Sequence, residues 1–227
     1  MSEQPQVGET AIIAANLADL RRRIRDAAAH RDVDIVAVSK GQPVTAIRAA
    51  VGAGLKMFGE NYADELVEKA THPSLAGLGI RWTYQGRLQT NKINRLVPHV
   101  SLWQTVDTVE RAQALARRAP GATVLIQINI TEDGQRSGMA ATQASAVIEA
   151  SRLVGLDVVG IMGVGHDPNT PGVSADDCRR AFSDAVSVAN DHGLVIRSLG
   201  MSSDFELALQ AGATMVRIGS LLFGPRA

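Results

Sequence analysis

Two rhythms of apolar positions alternate along this chain. Short apolar runs rich in Val and Ile are separated by longer stretches in which Ala, Leu and Ile return at helical spacing. The first rhythm predicts strands over residues 34–40, 56–59, 81–86, 102–106, 123–129, 157–162, 195–199 and 214–218. The second predicts helices over 7–29, 44–53, 60–70, 89–96, 107–118, 141–154, 174–192 and 205–211. In the first helix Ile13, Leu17, Leu20, Ile24 and Ala28 share one face. Gly54 closes the second, and Asp107 or Thr108 caps the fifth. The strands are continuously apolar rather than alternating, as in parallel sheets buried on both faces, and the connections suit right-handed βαβ units. No linker divides the chain. The expected fold is α/β, a single (β/α)8 TIM-like barrel over residues 7–227 with an additional N-terminal helix and a flexible tail over 1–6. An open doubly wound sheet is the alternative.

In a barrel, chemistry collects at the C-terminal ends of the strands. The first such end carries Lys40, an amine on the rim of a buried strand, where partial desolvation favours the neutral, nucleophilic form. A lysine snorkelling to solvent is the plainer reading. The seventh strand runs into Gly200-Met201-Ser202-Ser203-Asp204 and the eighth into Gly219-Ser220. Small residues let backbone amides approach an anion, hydroxyls add donors, and loops after strands 7 and 8 are the habitual phosphate site of such barrels. Closure sets strand 8 beside strand 1, so a phosphate there lies near Lys40 with Arg217 alongside. An amine, an anion cup and a cation suit a phosphorylated aldehyde, and pyridoxal 5'-phosphate (PLP) is the obvious candidate.

Composition narrows the partners. Lys plus Arg equals Asp plus Glu at 23 each, so no global field favours nucleic acid or an anionic membrane, and 4% aromatics argue against a base-stacking surface. One cysteine, Cys178, leaves no intrachain disulfide and suggests a reducing, cytoplasmic setting; it is expected to be a small buried or half-buried residue. Met1-Ser2-Glu3-Gln4-Pro5 has neither a basic start nor an apolar run, so no signal peptide is expected, and no stretch has the length of a membrane span. The arginines at 21, 22, 23 and 25 are expected to be a solvated face near acidic neighbours. Asp176-Asp177 opens a helix, where acidic residues suit the dipole. His72, His99, His166 and His192 lack metal-ligand spacing. The glycines at 160, 163 and 165 echo a dinucleotide loop only faintly, since Pro168 and Pro171 follow where a helix should start.

Ala37-Val38-Ser39-Lys40, Phe58-Gly59-Glu60-Asn61, Gly86-Arg87-Leu88-Gln89-Thr90-Asn91-Lys92, Ser198-Leu199-Gly200-Met201-Ser202 and Val216-Arg217-Ile218-Gly219-Ser220 together resemble the signature blocks of the pyridoxal phosphate homeostasis (PLP-binding, YggS/PROSC-like) family over nearly the whole chain. The resemblance implies a fold like the barrel domain of alanine racemase, with no second domain. It implies that Lys40 forms the internal aldimine with PLP and that Ser202 and Ser203 lie in the phosphate cup with the backbone of Gly219 and Ser220. Arg217 would face the pyridine nitrogen, and Asn61 and Met162 would line the pocket. The implied partners are PLP and PLP-dependent apo-enzymes, with no nucleic acid, no membrane and a monomeric state. The chain departs from the family at Gly41-Gln42, where Thr-Lys is usual, at Thr83, where His is usual, and at 163–166, where a more apolar, Pro-containing turn is usual.

An arginine at the pyridine nitrogen can only donate, so the ring stays unprotonated and a weak electron sink. A racemase with such an arginine needs a second acid/base on the opposite face, which its other domain supplies. Here Tyr62 and Tyr84 are the only tyrosines, and both read as packing or rim residues. The expectation is therefore a non-catalytic PLP binder that buffers or delivers the cofactor. A weak PLP-dependent amino-acid racemase is the alternative, and a phosphate-sugar aldolase with a Schiff-base lysine a third class.

Overall fold

The computed structural model describes residues 7–131 and 137–224. The tail expected over residues 1–6 lies outside them. Nine parallel strands run through the described residues: β1 (Asp34–Val38), β2 (Met57–Glu60), β3 (Arg81–Tyr84), β4 (Val100–Val106), β5 (Thr123–Asn129), β6 (Met139–Ala140), β7 (Asp157–Gly163), β8 (Ile196–Ser198) and β9 (Met215–Ile218). The order is β4-β3-β2-β1-β9-β8-β7-β5, and pairing of β4 with β5 closes it into an eight-stranded barrel. The two-residue β6 pairs only with the end of β5 and is an addition that the apolar pattern does not reveal. Strand β1 lies between β2 and β9, with Ala37 opposite both Phe58 and Ile218, so the chain's first strand meets its last.

The principal helices are α1 (Val7–Ala27), α2 (Val44–Gly52), α3 (Ala63–Ala70), α4 (Ile93–Leu96), α5 (Val109–Ala116), α6 (Ala144–Leu153), α7 (Ala175–Asp191), α8 (Phe205–Ala211) and α9 (Ser220–Phe223). Helix α1 buries Ile13, Leu17, Leu20 and Ile24, and Ala28 just past its end continues the face that the spacing predicts; the helix packs on α2, α8 and α9. Its arginines face outward as a paired surface: Arg22 bonds Asp19, while Arg23 bonds Glu206 at 2.9 Å and lies over the Phe205 ring. Thr108, rather than Asp107, caps α5. Ser174 and Asp177 form a reciprocal capping box on α7, which accounts for the acidic pair there. Cys178 is fully buried. No helix of the described residues is long and apolar enough to cross a membrane.

Alternation along the strands divides the interior into two environments. Outward positions such as Ala37, Ile126, Ile161, Val216 and Ile218 join the helices in one large apolar cluster. Inward positions Val36, Met57, Leu102, Leu125, Met162 and Met215 form a separate cluster inside the barrel. Further along the same strands the inward residues become polar: Thr83, Gln104, Ser198 and Arg217 are all buried. The barrel is thus apolar through much of its interior and polar beneath its C-terminal mouth.

Candidate functional site at the barrel mouth

Strand β1 stops at Val38, two residues short of Lys40. Lys40 therefore stands in a turn rather than on the strand itself. The Gln42 N–H donates to the Ser39 carbonyl at 2.9 Å, and Gly41 occupies the third position with φ of +70°. A type II turn demands that conformation there, and glycine adopts it without steric cost. Gly41, where the chain departs from the family, suits this turn. Lys40 is half-buried and lines a cavity of about 260 Å³ with Val38, Ser202, Ser203, Arg217, Gly219 and Ser220. Six of the expected site residues thus converge in one place, from turns following β1, β8 and β9 and from β9 itself.

The far wall of this cavity is a cradle of hydrogen-bond donors. In the loop after β8, Met201 O accepts from the amides of Asp204 and Phe205, and Asp204 Oδ1 accepts from Met201 N–H at 2.5 Å. Among the described residues, no acceptor takes the amide hydrogens of Ser202, Ser203 or Ser220. Leu221 N–H reaches Ser202 Oγ at 3.4 Å, which ties the two turns together. Gly200, with φ of +88°, is fixed by packing, since a Cβ there would lie 2.7 Å from the Cβ of Ala208. Burial raises the Asp204 carboxyl above its ordinary range, and its hydrogen bond to Met201 opposes the rise. Unspent amides and hydroxyls in a concave turn suit an anion of phosphate size.

Arg217 points inward from β9 and is 4% exposed. Its Nη1 donates to Ser198 O at 2.5 Å and Ser198 Oγ at 3.0 Å, and its Nη2 to Gly163 O at 2.8 Å. Three of the roughly five N–H groups of a guanidinium are thereby used, all on neutral acceptors. Burial lowers its pKa to about 10, so it keeps its charge at neutral pH. A polar chain continues across the barrel: Ser198 Oγ donates to Gln104 Oε1 at 2.8 Å, and Gln104 Nε2 donates to Thr83 Oγ1 at 3.1 Å. Thr83, the second departure from the family, accepts from Gln104 and also from Gln85 Nε2 at 3.5 Å. In the third departure, the Gly163 carbonyl holds Arg217, and a Cβ at Gly165 would lie 2.5 Å from the Phe182 ring.

Asn61 and Met162 lie elsewhere in the mouth. They line a second cavity of about 590 Å³ together with Tyr62, Arg87, Gln127 and others, and share Met201 and Ser203 with the first. Asn61 Oδ1 is buried without a partner among the described residues. The close passage of this segment requires Gly86, whose Cβ would fall 1.8 Å from the Asn61 carbonyl oxygen. Tyr62 is 65% exposed at the rim, whereas Tyr84 is buried, its hydroxyl donating to Arg87 O at 3.3 Å. Met201 belongs to the turn singled out in the sequence, whereas Gln104 and a buried lysine, Lys69, are not marked by any motif. Extending the buried series Ala63 and Leu66 by three along α3 reaches Lys69, which would have marked that lysine as facing inward.

Comparisons with known proteins converge on one family. The family model for the alanine racemase N-terminal domain matches residues 11–227. The pyridoxal phosphate homeostasis protein of Pseudomonas aeruginosa is 37% identical, across 94% of this chain and 96% of its own length. The human protein of the same name is 32% identical, across 94% of this chain and 86% of its own. Among solved structures, PipY of Synechococcus elongatus with PLP bound superposes with a TM-score of 0.77 at 29% identity, covering 93% of this chain and 100% of that one. The chain belongs to the alanine racemase N-terminal domain family and, within it, to the pyridoxal phosphate homeostasis proteins.

Proposed function

We propose that this protein binds PLP at the barrel mouth, holds it covalently through Lys40 and serves in intracellular PLP homeostasis as a carrier rather than a catalyst. The observation that carries the reading is the convergence of the Lys40 side chain, the open amides of Ser202, Ser203 and Ser220, and Arg217 on one cavity. The aldehyde of PLP condenses with a lysine amine, and its phosphate requires an anion cradle. Ser202, Ser203 and the backbone of Gly219 and Ser220 would hold the phosphate, and Arg217 would offer a remaining N–H to the ring. Asn61 and Met162 line the space beyond. PLP bound to PipY, on the same fold at 29% identity, supports this assignment.

Arg217 also bears on the choice between carrier and enzyme. A guanidinium that is charged and only donates leaves the pyridine nitrogen an acceptor, which weakens the ring as an electron sink. The tyrosines add no buried acid/base opposite Lys40, since Tyr62 is at the rim and the Tyr84 hydroxyl is tied to Arg87 O. The name shared by the relatives accords with a homeostatic role. On this reading the protein is a cytoplasmic monomer that gives up PLP to apo-enzymes.

The test is a PLP titration of the wild type and Lys40→Ala, followed by each loaded protein against a panel of amino acids. Wild type is expected to gain visible absorbance to one equivalent per chain and Lys40→Ala to lose it. Exchange of substrate α-protons at enzyme-like rates, dependent on Lys40, would favour the racemase reading instead.

A further inference from the structure

Beneath the Lys40 turn lies a buried ion cluster. Lys69 Nζ, from α3, donates to Ser39 O at 2.6 Å, Glu60 Oε1 at 2.8 Å and Glu65 Oε1 at 2.6 Å. Ser39 Oγ donates to Glu60 Oε1 at 2.7 Å, and Gly41 N–H donates to Glu65 Oε1 at 2.6 Å. Lys69 is 5% exposed and Glu60 fully buried. The two backbone groups engaged belong to the two peptide planes that flank the Lys40 Cα. The Ser39 carbonyl belongs to the plane before it and the Gly41 amide to the plane after it. Anchoring both planes fixes the two backbone dihedrals of Lys40, and with them the direction in which its side chain leaves the turn.

We propose that Lys69, acting with Glu65, is a positioning residue for Lys40, bracing the turn so that the Lys40 amine meets an incoming PLP already aimed at the cradle. The proposal rests on the reading of Lys40 as the cofactor-bearing lysine. Stability alone accounts poorly for the cluster. A buried ion group is often no more stabilising than an apolar replacement of similar size, and Glu60 Oε2 is left without a partner among the described residues. What the ammonium offers is three donors on one atom, and here all three are used, one on the turn itself and one on the carboxylate that holds the other side of the turn. Without the brace, Lys40 must be ordered when the cofactor arrives. Fixing one residue's backbone corresponds to about a tenfold change in equilibrium constant.

The test uses the full chain with three alterations: Glu65→Ala, Glu65→Gln and the double change Lys69→Met with Glu60→Gln. The double change leaves no buried carboxylate stranded, and the half-buried Glu65 is a mild site, so a folding defect in one variant leaves the other informative. The first readout is amide exchange at Gly41 in protein free of PLP. It is expected to rise about tenfold in Glu65→Ala and in the double variant, and to return toward wild type in Glu65→Gln, which keeps an acceptor oxygen. The second is the PLP concentration that gives half-maximal borohydride trapping of a pyridoxyl group on Lys40, expected to rise about tenfold in the same two variants. Unchanged exchange at Gly41, or faster exchange with unchanged trapping, overturns the positioning role alone. A wild-type protein that takes no pyridoxyl on Lys40 overturns the functional reading and the proposal together.

Discussion

Two buried cations flank the mouth of this barrel, and they are satisfied in opposite ways. Lys69 is enclosed by two carboxylates and a carbonyl, so its charge is answered from within the fold. Arg217 is held by two carbonyls and a hydroxyl, and its hydrogen bonds reach no carboxylate. Neutral acceptors satisfy the geometry of a guanidinium, Asp204 answers its charge only through space, and burial outweighs that attraction, lowering its pKa to about 10. The difference marks two tasks. On the proposed function, Lys69 spends its charge on the shape of the Lys40 turn, whereas Arg217 keeps its charge for the ligand beside the cradle. A buried charge hydrogen-bonded only to neutral groups, on a cavity of open amides, is the stronger pointer to a ligand.

The contrast can be broken by substitution. Lys69→Met alone strands Glu60, a carboxylate with no route to water, and is expected to cost about 3–5 kcal/mol in denaturant unfolding. Most of that loss should return in the double change with Glu60→Gln. Arg217→Met removes a charge that is costly to bury as well as its hydrogen bonds, and the two effects oppose each other. Its stability should fall by only about 1–2 kcal/mol, while half-saturation by PLP rises about 10- to 100-fold. Equal losses of stability at the two sites would remove the distinction drawn between them.

Acid–base behaviour sharpens the same comparison. Burial is the largest influence on both Glu60 and Asp204 and raises their pKa, against the opposing pull of Lys69 on the first and the Met201 amide on the second. The folded protein therefore holds these protons more tightly than the unfolded chain. The stability they contribute is present below the ordinary carboxylate range and is lost as pH rises through the raised folded values. Unfolding free energies from about pH 4 to pH 8 should show a component that falls with pH, and the double change at Lys69 and Glu60 should make it shallower. The smallest effect belongs to the far end of the polar chain. Thr83→Val removes the acceptor for Gln104 Nε2 and is expected to cost about 1 kcal/mol in stability with little change in PLP affinity.

Much of this architecture is legible in the residues themselves. The period of the apolar positions marks the eight staves, because each is buried on both faces, and the long helices, because each buries one stripe. The Gly/Ser turns at 200–204 and 219–220 could be paired with Lys40 because a barrel must join its last strand to its first. The turn that carries Lys40 was harder to see, since a lysine two residues beyond a strand reads like a lysine at its end. That Asn61 and Met162 line the 590 Å³ cavity while Lys40 lines its neighbour has no counterpart in any local pattern. Lys69, Glu60, Gln104 and Thr83 were illegible as partners for a physical reason. Each is polar in an otherwise ordinary element, and which of them meet depends on how far neighbouring strands are staggered, a property of the closed barrel.

The central claim is that Lys40 carries the cofactor, and covalent trapping tests it most directly. The full-length protein is loaded with PLP, reduced with borohydride and digested, and the pyridoxyl mass is located among its peptides. The account predicts a single adduct on Lys40 at close to one per chain, absent from Lys40→Ala. An adduct confined to another lysine, Lys69 included, or none after saturation with PLP, would contradict it.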